Sequence, residues 1–208
     1  MRKIYLFIII VIVFGWAFKN HPKTTKIEIE PYTIDSIVPD TVDYIYMESR
    51  EKLIECVDNY IKSTAPSSKI DSEYLVDMCD LYEIDIRLVL AQAHLESHFA
   101  TKGTALKTNS MFNIGAYDGH SANKQIKNGF GFPDPNYSIE PYLKTLKTNY
   151  LVNGTTEKDL LNNFVNKHGW RYATAKDYET KLTKLWNNMD DISLVLEEYE
   201  VDKFLNNI

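Results

Sequence analysis

The residues most able to do chemistry lie in the stretch LVLAQAHLESH, residues 88–98. Six of the eight residues from Leu88 to Leu95 are apolar, and the run then delivers the carboxylic acid Glu96. An acid at the end of an apolar helix meets two unfavourable conditions for ionisation: the partial negative charge of a helix C-terminus and partial burial. Both favour the protonated form. A carboxylic acid that keeps its proton near neutral pH is what cleavage of a glycosidic bond requires, since the leaving oxygen must be protonated. His94 and His98 flank Glu96 at a spacing of four and would share a helix face, as a metal pair could. No third ligand is evident, and the glutamate lies in the wrong place for the H-E-x-x-H pattern, so no metal is expected.

The elements around this stretch must position it. Asp85 can cap a helix from about Ile86 to Ser97, whose apolar residues go nearly all round, as suits the centre of a domain. Two amphipathic helices precede it. One starts at Val42 and carries Leu53, Ile54, Val57 and Ile61; the other runs from about Asp71 to Tyr82 with Leu75, Met78, Cys79 and Tyr82 on one face. After Gly103 comes a loop-rich lobe with four glycines and two prolines between Ser110 and Tyr137, holding at most a small hairpin. Helical spacing resumes from Ser138 to Tyr150, over residues 157–167, and from an Asp177 cap through Tyr178, Leu182, Leu185, Trp186 and Met189. Residues 190–205 read as a last acidic helix. The sum is a mainly α domain with an irregular lobe that could wall a cleft beside Glu96.

The N-terminus is of another kind. Arg2 and Lys3 precede fifteen uncharged residues, Ile4–Phe18. This is the form of a secretory signal, with an uncleaved membrane anchor as the competing reading, and both leave the rest of the chain outside the cytoplasmic membrane. Residues 21–41, rich in proline and polar residues, read as a linker. The boundaries expected are therefore 1–20 signal or anchor, 21–41 linker, 42–189 the main domain and 190–208 a C-terminal helix. Without Arg2, Lys3 and Lys19 the remainder carries 20 basic against 29 acidic residues, a net charge of −9. That excludes a basic nucleic-acid-binding face as the theme of the chain. Cys56 and Cys79 could pair in an oxidising compartment or stand as two thiols on helix faces. The acids Asp77 and Asp80 would raise the pKa of Cys79, which argues against a cysteine nucleophile. No phosphate-cradling glycine loop is present and no cofactor is expected.

Four blocks of the sequence, in order, resemble the glucosaminidase family of bacterial peptidoglycan hydrolases, glycoside hydrolase family 73. LVLAQAHLES resembles the family's A-Q-A-x-x-E-[ST] stretch, which places Glu96 at the catalytic glutamate. NSMFNIG, residues 109–115, resembles N-N-L-F-G-I: Phe112 and Ile114 match, while Asn113 stands for the usual glycine. FPDPNYSIEPYLKTL is loosely similar to a third block, and GWRYATAKDYETKL, residues 169–182, to the Y-A-T-D-x-x-Y segment. The resemblance implies a lysozyme-like α+β fold and hydrolysis of the bond after N-acetylglucosamine in peptidoglycan glycan strands, at the cell envelope. It implies that Glu96 is the general acid, that Tyr172 lies across the cleft near the cleaved bond, and that Tyr178 is structural. Phe112, Asn113, Tyr117 and Trp170 are candidate substrate-binding residues, the aromatics as flat faces for sugar rings or as core. Many members carry a second acid in the lobe. No glutamate lies between Glu96 and Glu140 here, so Asp118 is the stand-in, with Asp134 behind it. Alternatively the substrate's own 2-acetamido oxygen attacks the anomeric carbon. ESHF, residues 96–99, also resembles the E-S-x-F stretch of lytic transglycosylases, and a membrane-tethered domain that binds cell wall without turnover is the non-enzymatic alternative.

Overall fold

A computed structural model describes residues 38–115 and 121–206. The described chain runs α1 (Val38–Thr64), α2 (Ser72–Tyr82), α3 (Ile86–Ser97), α4 (Ala105–Thr108), α5 (Ala122–Lys127), α6 (Ile139–Thr145), α7 (Glu157–Leu160), α8 (Tyr178–Asn187) and α9 (Asp190–Asn206). Among the described residues there is no strand, only an isolated antiparallel bridge between Val165 and Arg171. The expected α-rich fold is therefore found, and the described residues of the lobe between α3 and α6 form turns and short helices, with no hairpin among them.

α3 is the axis of the fold. Asp85 caps it as expected, accepting from the Arg87 N–H at 2.9 Å while also holding the Arg87 guanidinium at 2.6 Å. Ile86, Leu88, Val89, Leu90, Ala91 and Ala93 are all buried, so the helix is covered on every side. Each large side chain so buried stabilises the fold by about 1.5–3 kcal/mol. α8 is the main partner of α3, and α2 packs on both α3 and α6. Leu53, Val57 and Ile61 of α1, spaced four apart, face the same core. α9 is fastened by Asp80, which accepts from the Tyr199 hydroxyl and, at 2.9 Å, from Lys203 Nζ. The Tyr199 ring stacks on Tyr46 at 5.6 Å.

Several expectations are corrected. α1 begins at Val38 rather than Val42, because Pro39 falls in the first turn, where a missing N–H costs nothing. The helix expected over residues 157–167 ends at Leu160 after a Thr156–Asp159 capping box. Beyond it Leu161 and Phe164 turn into the core and the chain forms the Val165–Arg171 bridge. Asp177 occupies the N-cap position of α8 but makes no cap bond; its carboxylate pairs with Lys181 at 2.8 Å instead. The helix begun at Ile139 closes in a π turn over Leu146–Tyr150. Cys56 and Cys79 are free thiols, and burial, reinforced by Asp80, pushes the Cys79 thiol well above its usual range. Among the described residues no helix is long and apolar enough to cross a membrane; the Ile4–Phe18 run and the linker up to residue 37 lie outside them.

The lobe is pinned at several points. Phe132 N–H reaches the Thr108 carbonyl at 2.7 Å, and the Asn109 amide reaches the Phe132 carbonyl at 2.9 Å. Gly115, at φ +70°, lies under the Phe130 ring, and a Cβ there would come within 2.4 Å of it. Gly115→Ala should therefore lower stability by about 1–3 kcal/mol, through backbone strain and overpacking together. Urea unfolding of the two proteins checks this; an unchanged midpoint would contradict the packing of Gly115 against Phe130.

Candidate active site

Glu96 lies in the last turn of α3, half-buried, with both carboxylate oxygens engaged. Oε1 accepts from the Tyr178 hydroxyl at 2.9 Å. Oε2 accepts from Asn113 Nδ2 at 3.3 Å, and the same nitrogen donates to the Glu96 backbone carbonyl at 2.9 Å. Burial raises the pKa of Glu96, and the hydrogen bonds from Tyr178 and Asn113 pull it back without cancelling the rise. Among the described residues no lysine or arginine forms an ion pair with it. The carboxyl is thus held in place by neutral donors, which fix its geometry without imposing the ionised state that a cation would.

Tyr178 is itself held. Gln92, fully buried one turn before Glu96 on α3, donates from Nε2 to the Tyr178 oxygen at 3.0 Å. The chain Gln92–Tyr178–Glu96 therefore ties α3 to α8 through the Glu96 carboxyl. The ring of Tyr178 stacks on Tyr172 at 5.7 Å and meets Phe164 edge-on at 6.0 Å. Burial pushes the hydroxyls of Tyr172 and Tyr178 well above the usual phenol range, so both stay neutral donors.

The turn after Glu96 is strained. His98, Phe99 and Ala100 hold φ of 47°, 54° and 65°, three successive left-handed residues without a glycine. Such residues cost on the order of 1–3 kcal/mol each. The surroundings over-determine them. Phe99 is wholly buried, its carbonyl accepts from Ser68 Oγ at 3.1 Å, and Ala100 N–H donates to Ser97 Oγ at 2.8 Å. Ser97 Oγ in turn donates to the Met111 carbonyl at 2.6 Å. The sharp turn thus folds residues 109–115 back against the end of α3, which is how Asn113 reaches Glu96.

The residues expected at the site have separate fates. Asn113 is present, but its amide faces Glu96. Phe112 is core: its ring is fully buried and stacked on Tyr142 at 3.6 Å, so it offers no face to a sugar. The tyrosine touching Glu96 is Tyr178. Tyr172 donates its hydroxyl to the Phe112 carbonyl at 2.9 Å and packs between Tyr150, Phe164 and Tyr178. Trp170, on the turn closed by the Val165–Arg171 bridge, is 71% exposed, with the His168 ring tilted against it at 5.9 Å. Asp118 and Tyr117 lie outside the described residues. Asp134 caps the Pro135–Ser138 turn through Asn136. His94 and His98 do face each other, rings 4.8 Å apart, but His94 Nδ1 is bonded to the Tyr60 hydroxyl at 3.1 Å. No group of three potential ligands stands together among the described residues. Sequence reasoning missed Gln92 and the contact of Tyr178. Gln92 had a signal: it is the polar break in an apolar run, four residues before the acid and so on its face.

A family model described as Glucosaminidase, mannosyl-glycoprotein endo-beta-N-acetylglucosaminidase, matches residues 72–191, more than half of the chain. The match spans α2 to the start of α9 and includes Gln92, Glu96, Asn113 and Tyr178. Among curated proteins and solved structures nothing matches.

Tyr178→Phe tests the geometry. It removes the hydroxyl that satisfies both Gln92 Nε2 and Glu96 Oε1, leaving the fully buried Gln92 without its acceptor. The expected loss is about 1–3 kcal/mol in urea unfolding. Unaltered stability would contradict the three-residue chain.

Proposed function

The chain belongs to the glucosaminidase family and has its mainly α, lysozyme-like fold, and from that premise we propose that it is an endo-β-N-acetylglucosaminidase of peptidoglycan with Glu96 as general acid. The observation that carries the reading is the burial of Glu96, which favours its protonated form and is opposed but not cancelled by the donors Tyr178 and Asn113. As the C1–O bond breaks, the proton of Glu96 passes to the leaving oxygen. Charge building at C1 is then met by Asp118 or by the 2-acetamido oxygen of the substrate itself. Water attacks C1, and the Glu96 carboxylate takes the proton that the water releases. Asp118→Asn separates the two routes: lost turnover assigns the aspartate to the second step, and retained turnover leaves it to the acetamido group.

Trp170 is an exposed ring suited to stacking on a sugar, and Tyr172 acts as a buttress behind Tyr178 rather than as a group on the scissile bond. Peptidoglycan is preferred to a mannosyl-glycoprotein because of the four resembling blocks and the N-terminal segment, which as signal or anchor would deliver the domain outside the cytoplasmic membrane. Both substrates share the bond after N-acetylglucosamine. A lytic transglycosylase is the second reading. What favours it is that, among the described residues, the side chains hydrogen-bonded to the Glu96 carboxyl are those of Tyr178 and Asn113, with no second carboxylate among them. The product decides: a reducing N-acetylglucosamine end for the hydrolase, an anhydro-muramic end for the transglycosylase. A cell-wall-binding domain would yield neither.

Glu96→Gln should lower the rate of peptidoglycan hydrolysis by at least about 10²–10⁴-fold, with the fold retained. Mass spectrometry of the released muropeptides checks this, and undiminished release would refute the assignment. The wild-type rate should fall as pH rises through the elevated pKa of Glu96. Stability follows the same sign. The folded state favours the proton more than the unfolded chain does, so wild-type stability declines as pH climbs from the ordinary glutamate range through that elevated value. Glu96→Gln removes this decline and should be the more stable protein at neutral pH in urea unfolding.

A further inference from the structure

We propose that Asn113 is a positioning residue for Glu96: its amide grips the carboxylate oxygen Oε2 and the backbone carbonyl of the same residue, and so fixes the acid at the end of α3. The proposal rests on the general-acid role given to Glu96 above and deepens it.

The hydrogen-bond directions assign the two oxygens. Tyr178 has a single proton. Its oxygen already accepts from Gln92 Nε2 at 3.0 Å, so that proton points to Glu96 Oε1 at 2.9 Å. Oε1 is therefore an acceptor, and the transferable proton belongs on Oε2. Among the described residues the side chain bonded to Oε2 is Asn113, at 3.3 Å, a distance that constrains the oxygen without burying it in a tight bond. The second arm of the grip, 2.9 Å to the Glu96 carbonyl, satisfies one of the acceptors that every helix leaves open at its C-terminus. One amide group therefore fixes both the end of the helix and the oxygen that carries the proton.

The backbone explains why asparagine can do this. Residue 113 sits at φ +49°, a region that asparagine tolerates better than most residues with a side chain. The resembling segment has glycine here. Asparagine keeps the conformation and adds a donor, while its Oδ1 is shielded and without a hydrogen-bond partner among the described residues. The other titratable groups that face Glu96 are tyrosines: Tyr178 and Tyr172 from the α8 side and Tyr142 from α6. All three are kept neutral by burial. The Asn113 donor favours the carboxylate, so it opposes burial at the moment the proton leaves.

Asn113→Gly keeps the backbone conformation and deletes the donor. The titration midpoint of Glu96, followed by ¹³C NMR of the labelled side chain, should rise by about 0.5–1 pH unit. The basic limb of the pH–rate profile should move up with it. Asn113→Asp, which retains the shape but sets a carboxylate against Oε2, should move the midpoint further the same way, and it carries the test if the glycine variant fails to fold. A merely structural asparagine would change the unfolding midpoint and leave the Glu96 titration in place, and that result overturns the proposal. The titration is read without turnover. A shifted midpoint in protein that cleaves no glycan would leave the positioning intact and remove the proposed activity, while active protein with an unmoved midpoint would do the reverse.

Discussion

The structure turns on a balance at one carboxyl group. Burial disfavours the charge on Glu96, and two neutral donors restore part of what burial takes away. A lysine or arginine in place of those donors would tip the balance to the carboxylate, and full exposure would return the group to the behaviour of any surface glutamate. Much of the fold can be understood as the means of holding that intermediate condition. α3 is buried all round so that its last turn emerges at an edge, and α8 lies along it so that Tyr178 meets the acid. The strained turn at residues 98–100 brings a third segment back within reach.

That arrangement has an energetic logic. Three left-handed residues in succession are expensive, and an unconstrained chain would relax them. Here they are locked by the burial of Phe99 and by the Ser97 hydroxyl, which bonds at once to Ala100 N–H and to the Met111 carbonyl. The strain is thus balanced by core packing a few residues away, a pattern frequent at functional sites. The aromatic group behind Tyr178 plays a comparable part. Tyr172, Tyr150 and Phe164 surround one another and give the Tyr178 ring a fixed backing.

Part of this is legible in the sequence because it is local. The Asp85 cap, the all-round apolar helix and the acid at its end are dictated by residues within a turn or two of one another, and the fold contains each of them. The Tyr178–Glu96 bond spans 82 positions, and nothing in the spacing of either segment announces it. The left-handed turn is hidden for the opposite reason: His98, Phe99 and Ala100 are residues that ordinarily avoid positive φ. Phe112 shows a third kind of difficulty. An aromatic in a loop-rich lobe serves a sugar or a core equally well, and only its stacking on Tyr142 decides. Asn113 stands out in the sequence as a departure from the resembling segment, yet the object of its amide, the acid rather than the substrate, is visible only in the fold.

The central claim is that the folded chain keeps Glu96 protonated beyond the range in which glutamates normally ionise. The infrared difference spectrum between wild type and Glu96→Gln, followed against pH, reads this directly through the carbonyl stretch of a protonated carboxyl. The band should persist above the ordinary glutamate range and be lost in a single step. A band that vanishes at the pH typical of exposed glutamates would contradict it.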